Sequence, residues 1–461
     1  MNAMSGMQFE RDLALLLPQI AVLLTGVVAL VAAMLPRARL ALWLTVGGLL
    51  AAAVLALLRT GENTTVFAGT YRIDALSVWA VVILAPTAAL TALLAQPEVA
   101  GSDREGTLYA LFAFTTLGAL VLAGAGDVML LVLGVLMASL GSFALVAYPR
   151  DDRATEAAMK YFVFGSVTGA VMIFGLTFWF GATGSTLLAD LGRLGGFPLA
   201  AGAGLVAVLV GLGYKAALVP FHFWAPDAYD GAPVAVAAYL SVVPKVGAIF
   251  ALAQVARNLP DAVFNWRLVI ALLAVVSMTY GNLAALPQTN VIRLFAYSSI
   301  AQAGYFLLGI VAIERNDLAL RALIVFAAAY AAMNIGAFAV VARVGRELKA
   351  FTGVGRAMPW TGAALVIFVL SLVGVPPFAG FAGKLLLFGA AIDMGYAWLA
   401  AIAILNSVLS LAVYLRLIVP LYQERNAPQS ATSLAMLVSA VALVLTVAIG
   451  IAVQLLIARI G

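Results

Sequence analysis

Apolar residues run along this chain in blocks of about twenty or more, and charged residues stand almost only between the blocks. Runs such as VMLLVLGVLMASL do not alternate apolar with polar positions, as the strands of a membrane barrel would. Each block has the length that crosses the roughly 30 Å hydrocarbon layer as an α-helix. Cutting the chain at its charges predicts about fourteen spans: residues 13–36, 40–58, 75–97, 106–126, 128–149, 161–189, 194–226, 231–256, 268–292, 294–313, 322–342, 357–392, 394–415 and 426–458. The expected fold is an all-α polytopic membrane protein, a single membrane domain over residues 1–461 with no loop long enough for a soluble domain.

Two blocks, the seventh and the twelfth, are unusually long and interrupted by proline, in LGYKAALVPFHFWAPDAYDGAP and VGVPPFAGFAGKLLLF. Proline removes a helix hydrogen bond and clashes with the preceding turn. Inside a membrane the freed backbone groups persist only where protein or a water-filled cavity satisfies them. Both blocks are therefore expected to be broken helices, and such a pair in corresponding halves points to an inverted repeat around an ion path. The order of features flips between them: Lys215 precedes Pro220, whereas Lys384 follows Pro377.

Composition narrows the function. Hydrophobic residues make up 65% of the chain and charged residues 10%, against about 25% charged in soluble domains. Without cysteine there is no disulfide, iron–sulfur cluster or thiolate metal site, and a single histidine, His222, argues against haem or zinc. The net charge of +5 is carried by loops and does not point to nucleic acid. The start, MNAMSGMQFERD, followed by a long apolar run, reads as a first span rather than a cleaved signal. An even span count puts both termini on one side. The positive-inside rule places them outside, because the loop with Arg343, Arg346, Lys349 and Arg356 then lies in the cytoplasm.

Only five lysines occur, and Lys215, Lys245 and Lys384 each lie deep in an apolar block. A charge at the bilayer centre costs roughly 2.5–3.5 kcal/mol on insertion scales, so an intramembrane lysine is a functional candidate. Burial disfavours the charged form, which lets such a group take up and release a proton as its surroundings change. The structural alternative pairs each lysine with a fixed carboxylate, but Asp127, Asp227, Asp230 and Asp393 all stand at span ends. His222 is either a packing residue or a proton relay. Asp227, Tyr229 and Asp230 are expected to cap the broken helix and its turn. Ser277, Thr279, Tyr280 and Asn282 read as helix-joining polar groups, while Ser298, Ser299, Gln302 and Tyr305 are the candidates for a polar path. The glycine-rich stretches lack a phosphate-loop lysine. No catalytic, cofactor-binding or metal-binding constellation is present in the sequence.

The stretches EAAMKYFVFGSVTGAVMIFGLTFWFGATGS, GLGYKAALVPFHFWAPDAYDGAP, GNLAALPQTNVIRLFAYSSIAQAGY and LSLVGVPPFAGFAGKLLLF closely resemble the antiporter-like N subunits of proton-pumping NADH:quinone oxidoreductases, the respiratory complex I family. The similarity extends over nearly the whole chain. It implies two inverted five-helix repeats, spans four to eight and nine to thirteen, with broken helices at spans seven and twelve. Residues 1–105 would hold the three N-terminal helices, 106–256 the first repeat, 268–423 the second, and 426–461 the C-terminal helix. Lys215 would be a central proton carrier, Lys245 its connecting partner and Lys384 the terminal lysine, in a subunit without a redox centre. NADH, flavin, iron–sulfur clusters and the quinone, such as ubiquinone, would belong to partner subunits. Those partners would include an M-like and small K- and J-like subunits, in a bacterial inner membrane. The alternatives are a subunit of a cation/proton antiporter or of a membrane-bound hydrogenase-type complex.

One position departs from the family pattern. Family members usually carry a glutamate on span five in a context like GLELLSL; here the stretch is GVLMASL and Leu136 occupies that place. Ser139 and Ser142 are nearby but supply no charge. Three readings stay open: altered proton transfer, an acid from a neighbouring subunit, or a structural subunit that does not pump.

Overall fold

A computed structural model describes residues 6–35, 38–261, 265–313, 317–424 and 433–460. The expected end of the first span at residue 36, the start of the last at 426–432, and residues 1–5 lie outside the described residues. In chain order the helices are α1 (Gly6–Leu15), α2 (Leu17–Ala33), α3 (Ala38–Leu57), α4 (Ala75–Val99), α5 (Glu105–Ala123), α6 (Val128–Val146), α7 (Asp152–Thr183), α8 (Pro198–Ala216), α9 (Trp224–Gly231), α10 (Val234–Ala256), α11 (Trp266–Ala285), α12 (Val291–Ala312), α13 (Asp317–Val344), α14 (Val354–Ala357), α15 (Pro359–Val373), α16 (Ala379–Asp393), α17 (Ala397–Leu421), α18 (Ser433–Ile451) and α19 (Val453–Ile460). A short antiparallel hairpin, β1 (Thr64–Val66) with β2 (Tyr71–Ile73), fills the α3–α4 loop.

The all-α membrane fold stands. Among the described residues twelve helices are long and apolar enough to cross a membrane, or thirteen if α1 and α2, bent by 70° at their break, form one span. Pro18 in the first turn of α2 accounts for that bend. The twelfth expected block is two helices, α15 and α16, of 15 residues each. Neither is long enough alone.

Helices buried by protein and helices facing outward are equally apolar. α10 is buried along its whole length and α12 and α13 nearly so, whereas α7, α17 and α18 turn most of their surface outward. Close approach comes from small residues: a Cβ on Gly247 of α10 would lie 2.8 Å from the backbone oxygen of Ala119 in α5.

Alternate loops gather at each end, as repeated membrane crossing requires. At one end Glu98 accepts from the Val234 and Ala235 amides at 2.9 and 3.2 Å, Arg153 pairs with Asp230, and Arg346 donates to the carbonyl oxygens of Asp230 and Ala232. At the other, Asp74 pairs with Arg257 at 2.7 Å and accepts from Gln254 at 3.0 Å.

The two breaks are closed alike. α8 ends at Ala217, which adopts a left-handed φ of 57°, and Leu218 N–H reaches back to Gly213 O at 2.8 Å. α15 ends at Gly374, with φ of 96°, and Val375 N–H reaches back to Leu370 O at 3.0 Å. Both are the 6→1 closure of a helix C-terminus. The Val219–Pro220 and Pro376–Pro377 peptide bonds are both cis. At the second break, α16 starts against the end of α15: Gly380 N–H donates to Ser371 Oγ at 3.0 Å. A Cβ at Gly380 would stand 1.8 Å from the Ser371 carbonyl oxygen, a backbone atom that cannot give way. Gly380→Ala is expected to destabilise this joint by about 1–3 kcal/mol, as overpacking does. The measurement is thermal unfolding of the solubilised assembly, with Gly395→Ala, another α16-end position, as a control that meets no atom within 4 Å but a left-handed φ of 84°; Gly380→Ala should cost more than this control.

Candidate functional site

Lys215 lies on the last turn of α8 and is fully buried. Its Nζ donates to Ser139 Oγ of α6 and to Tyr161 OH of α7, both at 3.0 Å. Tyr161 in turn stacks on Trp224 of α9 with ring centroids 4.2 Å apart. Trp224 Nε1 donates to Tyr214 O at 2.7 Å, and Ser277 of α11 accepts from the Val219 amide at 3.0 Å. The first break is thus closed by side chains from two other helices.

Lys245 is also fully buried, one residue after Pro244 in the middle of α10. Its Nζ donates to Ser299 Oγ at 2.8 Å and to Ser299 O at 3.0 Å. Tyr229 OH lies 3.4 Å from the same hydroxyl. Four residues earlier on α10, Ser241 is bonded by two residues of α13: Tyr330 OH donates to its carbonyl at 2.9 Å, and Asn334 Nδ2 to its hydroxyl.

Lys384, in the second turn of α16, reaches back across the second break. Its Nζ donates to Leu372 O at 2.9 Å and Val373 O at 3.0 Å, the last carbonyls of α15, and to Ser407 Oγ of α17 at 3.3 Å. It also stands 3.9 Å over the Tyr305 ring. Ser407 Oγ donates to Tyr305 OH at 3.0 Å. A cavity of about 360 Å³ between α16 and α17 reaches Lys384 and Ser407, beside the exposed Leu385 and Val408.

α12 joins the last two sites. Ser299 holds Lys245. One turn on, Gln302 Nε2 donates to Leu372 O at 3.1 Å, an oxygen that also accepts from Lys384. Tyr305, a further turn on, lies under the Lys384 amine. Gln302 Oε1 is buried without a protein donor. Ser298 leaves this line and bonds Tyr414 OH at 2.5 Å. Among the described residues no carboxylate pairs with any of the three lysines.

His222 is buried between α8 and α9, where its ring packs on Phe223 and Tyr280, each at 4.6 Å between centroids. Its side chain bonds to none of the three lysines. Asp227 and Asp230 do not cap the broken helix as expected: their carboxylates are committed to ion pairs. Asp227 pairs with Arg293 at 2.8 Å and Lys160 at 3.0 Å, and Asp230 with Arg153. Of the expected helix-joining groups, Asn282 donates to Asn406 O at 3.0 Å and Asn406 to Thr279 at 3.2 Å, which ties α11 to α17.

With this geometry in view, the relatives are informative. The family described as NADH:quinone oxidoreductase/Mrp antiporter, transmembrane region, matches residues 125–410. The chain is 41% identical to an NADH-quinone oxidoreductase subunit N of Streptomyces griseus, covering 93% of this chain and 92% of the relative. It is 38% identical to an F(420)H(2) dehydrogenase subunit N of Methanosarcina mazei, over 89% of each. The chain belongs to this antiporter-like family. A chain of respiratory complex I from Thermus thermophilus superposes with a TM-score of 0.84 at 31% identity, covering 96% of this chain and 99% of that one. These relatives do not favour a cation/proton antiporter or a hydrogenase-type subunit.

Within the antiporter-like fold, Leu136 is on the outward face of α6 and 46% exposed. Ser139, one turn further along, is the residue that meets Lys215. Tyr161, Ser407 and Tyr330 carry no signal in the sequence that marks them as partners of these sites, and Tyr229 reads there only as a turn residue. Tyr161, one residue after Lys160 at the start of the sixth block, and Ser407, in the thirteenth, were visible as polar atoms at span depth but carried no motif. Burial alone raises the Asp227 carboxyl, but the hydrogen bonds and charges of Arg293 and Lys160 outweigh that and hold it below its ordinary value near 3.8. A depressed carboxyl contributes stability above its unfolded value, and the contribution disappears as pH falls through the lower folded value. Asp227→Asn is therefore expected to cost about 0.5–1 kcal/mol at neutral pH, after solvent screening of these part-exposed pairs. The deficit should shrink as pH falls below the ordinary carboxyl value near 3.8, read as thermal midpoints of wild type and variant across pH.

Proposed function

We propose that this chain is an N-type membrane-arm subunit of a complex I-type NADH:quinone oxidoreductase, and that it conducts protons through Lys215, Lys245 and Lys384 while quinone is reduced elsewhere in the complex. The observation that carries the reading is the placement of α12, with Ser299 on one buried amine and Gln302 and Tyr305 at the next. Hydroxyl, amide and amine groups in succession can pass a proton by short hops, and the open Oε1 of Gln302 offers an acceptor to a water between Ser299 and Lys384. Lys215 is the entry-side amine of this scheme. Its link to Lys245 runs past Tyr161, Trp224 and Tyr229, whose rings follow one another at 4.2 and 6.1 Å.

The same reading assigns NADH, flavin, iron–sulfur clusters and quinone to partner subunits, with an M-like and small K- and J-like subunits beside this one. It places the assembly in a bacterial inner membrane with both termini on the outer side. On this reading the coupling reaches the chain through contacts with its neighbours.

Lys245→Met and Lys384→Met remove an amine while keeping a long apolar side chain. Each is expected to lower proton uptake per electron pair in inside-out vesicles, with the residual transfer through this subunit slowed about tenfold or more. Ser299→Ala should produce the same defect in milder form. Unchanged stoichiometry in both lysine variants, with the complex assembled, refutes the path. A further outcome concerns the first half alone: Lys215→Met is expected to impair pumping, and a silent Lys215→Met beside a silent Leu136→Glu would make that half structural.

A further inference from the structure

α13, α15 and α18 leave a groove of about 350 Å³ between them. Its walls are made shallow by Ala339, Ala364, Ala435 and Ala440. Its mouth is polar: Arg343, on the last turn of α13, donates to Thr361 Oγ1 at 2.7 Å. Beside it Trp360 is 87% exposed, at the start of α15. We propose that this groove holds a phospholipid with an anionic headgroup, its phosphate at Arg343 and one acyl chain lying along α18. This inference rests on the chain being a membrane protein and is independent of the proton path.

Depth, length and charge together select the occupant. A bare indole at a helix start marks headgroup depth, because tryptophan has an apolar body and a polar edge and concentrates at that boundary. From that depth the groove follows α18 from Ala435 to Leu443, about 12 Å at 1.5 Å per residue. That is most of the way through one leaflet of a roughly 30 Å core. Thirdly, lipid tails are as apolar as leucine, so filling the slot with an acyl chain brings little selectivity of its own. Selection falls to the headgroup. The segment from Arg343 to Arg356 carries four basic residues, Arg343, Arg346, Lys349 and Arg356, against the single acid Glu347. Arg346 is turned inward to the Asp230 and Ala232 carbonyls and Arg356 pairs with Glu424 at 3.3 Å, but Lys349 is exposed on the same end of the bundle as Arg343. A cation at the mouth of an apolar slot complements a phosphate at the head of an acyl chain.

The test uses the assembled complex in vesicles containing a trace of phosphatidylglycerol or phosphatidylcholine with a photoactivatable diazirine in the acyl chain. After illumination, labelled peptides are located by sequencing. Peptides spanning 435–443 and 360–364 should be labelled about fivefold more by phosphatidylglycerol than by phosphatidylcholine, the preference one basic contact near the surface provides. Arg343→Gln should bring the two yields together, whereas Thr361→Val, which keeps the charge, should retain most of the difference. If Arg343→Gln does not assemble, high salt applied to the native complex should shrink the preference in its place. Equal labelling by the two lipids in the native complex overturns the proposal. So does the absence of label in these peptides while the outward-facing α7 is labelled, which would mean that a protein partner covers the groove.

Discussion

A helix interrupted inside a membrane exposes carbonyl oxygens where no water is at hand, at a cost of several kcal/mol for each one left unbonded. Everything distinctive in this protein follows from how two such interruptions are satisfied. At the first, the chain folds back on itself and borrows Trp224 and Ser277. At the second, the terminal carbonyls Leu372 O and Val373 O are taken up by an amine, that of Lys384, together with the amide of Gln302. The C-terminal end of a helix carries partial negative charge. A buried ammonium set against it therefore has an electrostatic partner that is part of the backbone, and no carboxylate is needed. The lysine and the break stabilise one another, which is why they occur together.

That pairing also fixes what α12 must be. It runs through the interior between α10 and α16, so each polar side chain it carries has to find a partner. Ser299 finds Lys245, Gln302 finds the α15 terminus, and Tyr305 lies against Lys384 and accepts from Ser407. Residues 299, 302 and 305 follow the three-to-four spacing of one helix face. A line of polar groups along one face is thus a by-product of satisfying two buried sites, and it supplies the route proposed for the proton.

Much of this was legible in the chain, because the bilayer imposes long apolar blocks and proline marks where a helix cannot continue. The break positions, the three lysines and the polar face of α12 all came from such local signals. Which face each helix presents was not legible. In a soluble protein the polar face points outward, but α10 and α7 are both apolar all round while one is buried completely and the other mostly exposed. The roles of Tyr161, Tyr229 and Ser407 were hidden for the same reason: a lone hydroxyl in an apolar run has no periodic neighbours to show its direction. Asp227 and Asp230 misled in the opposite sense. Their place beside a broken helix looked like capping, yet the basic residues that claim them come from α7 and α12, distant in sequence.

The three amines are not equivalent, and the difference can be counted. An ammonium has three N–H donors and no acceptor, whereas a neutral amine has two N–H donors and a lone pair. Lys384 makes three donor contacts, to Leu372 O, Val373 O and Ser407 Oγ, so its surroundings are built for the charged form. Lys245 makes two, both to Ser299, and Lys215 makes two, to Ser139 and Tyr161. Two contacts suit either form, and a hydroxyl such as Tyr161 OH can turn to donate when the amine has lost its proton. Leu136, facing outward on α6, adds no charge that would bias Lys215 one way. The first two amines therefore sit in sites that tolerate a change of protonation without breaking a contact. The third holds a proton against a helix end, and releasing it requires the α15–α16 joint to loosen or a counter-charge to arrive. On the proposed path a gate belongs at that joint, where the backbone itself is the partner of the Lys384 amine.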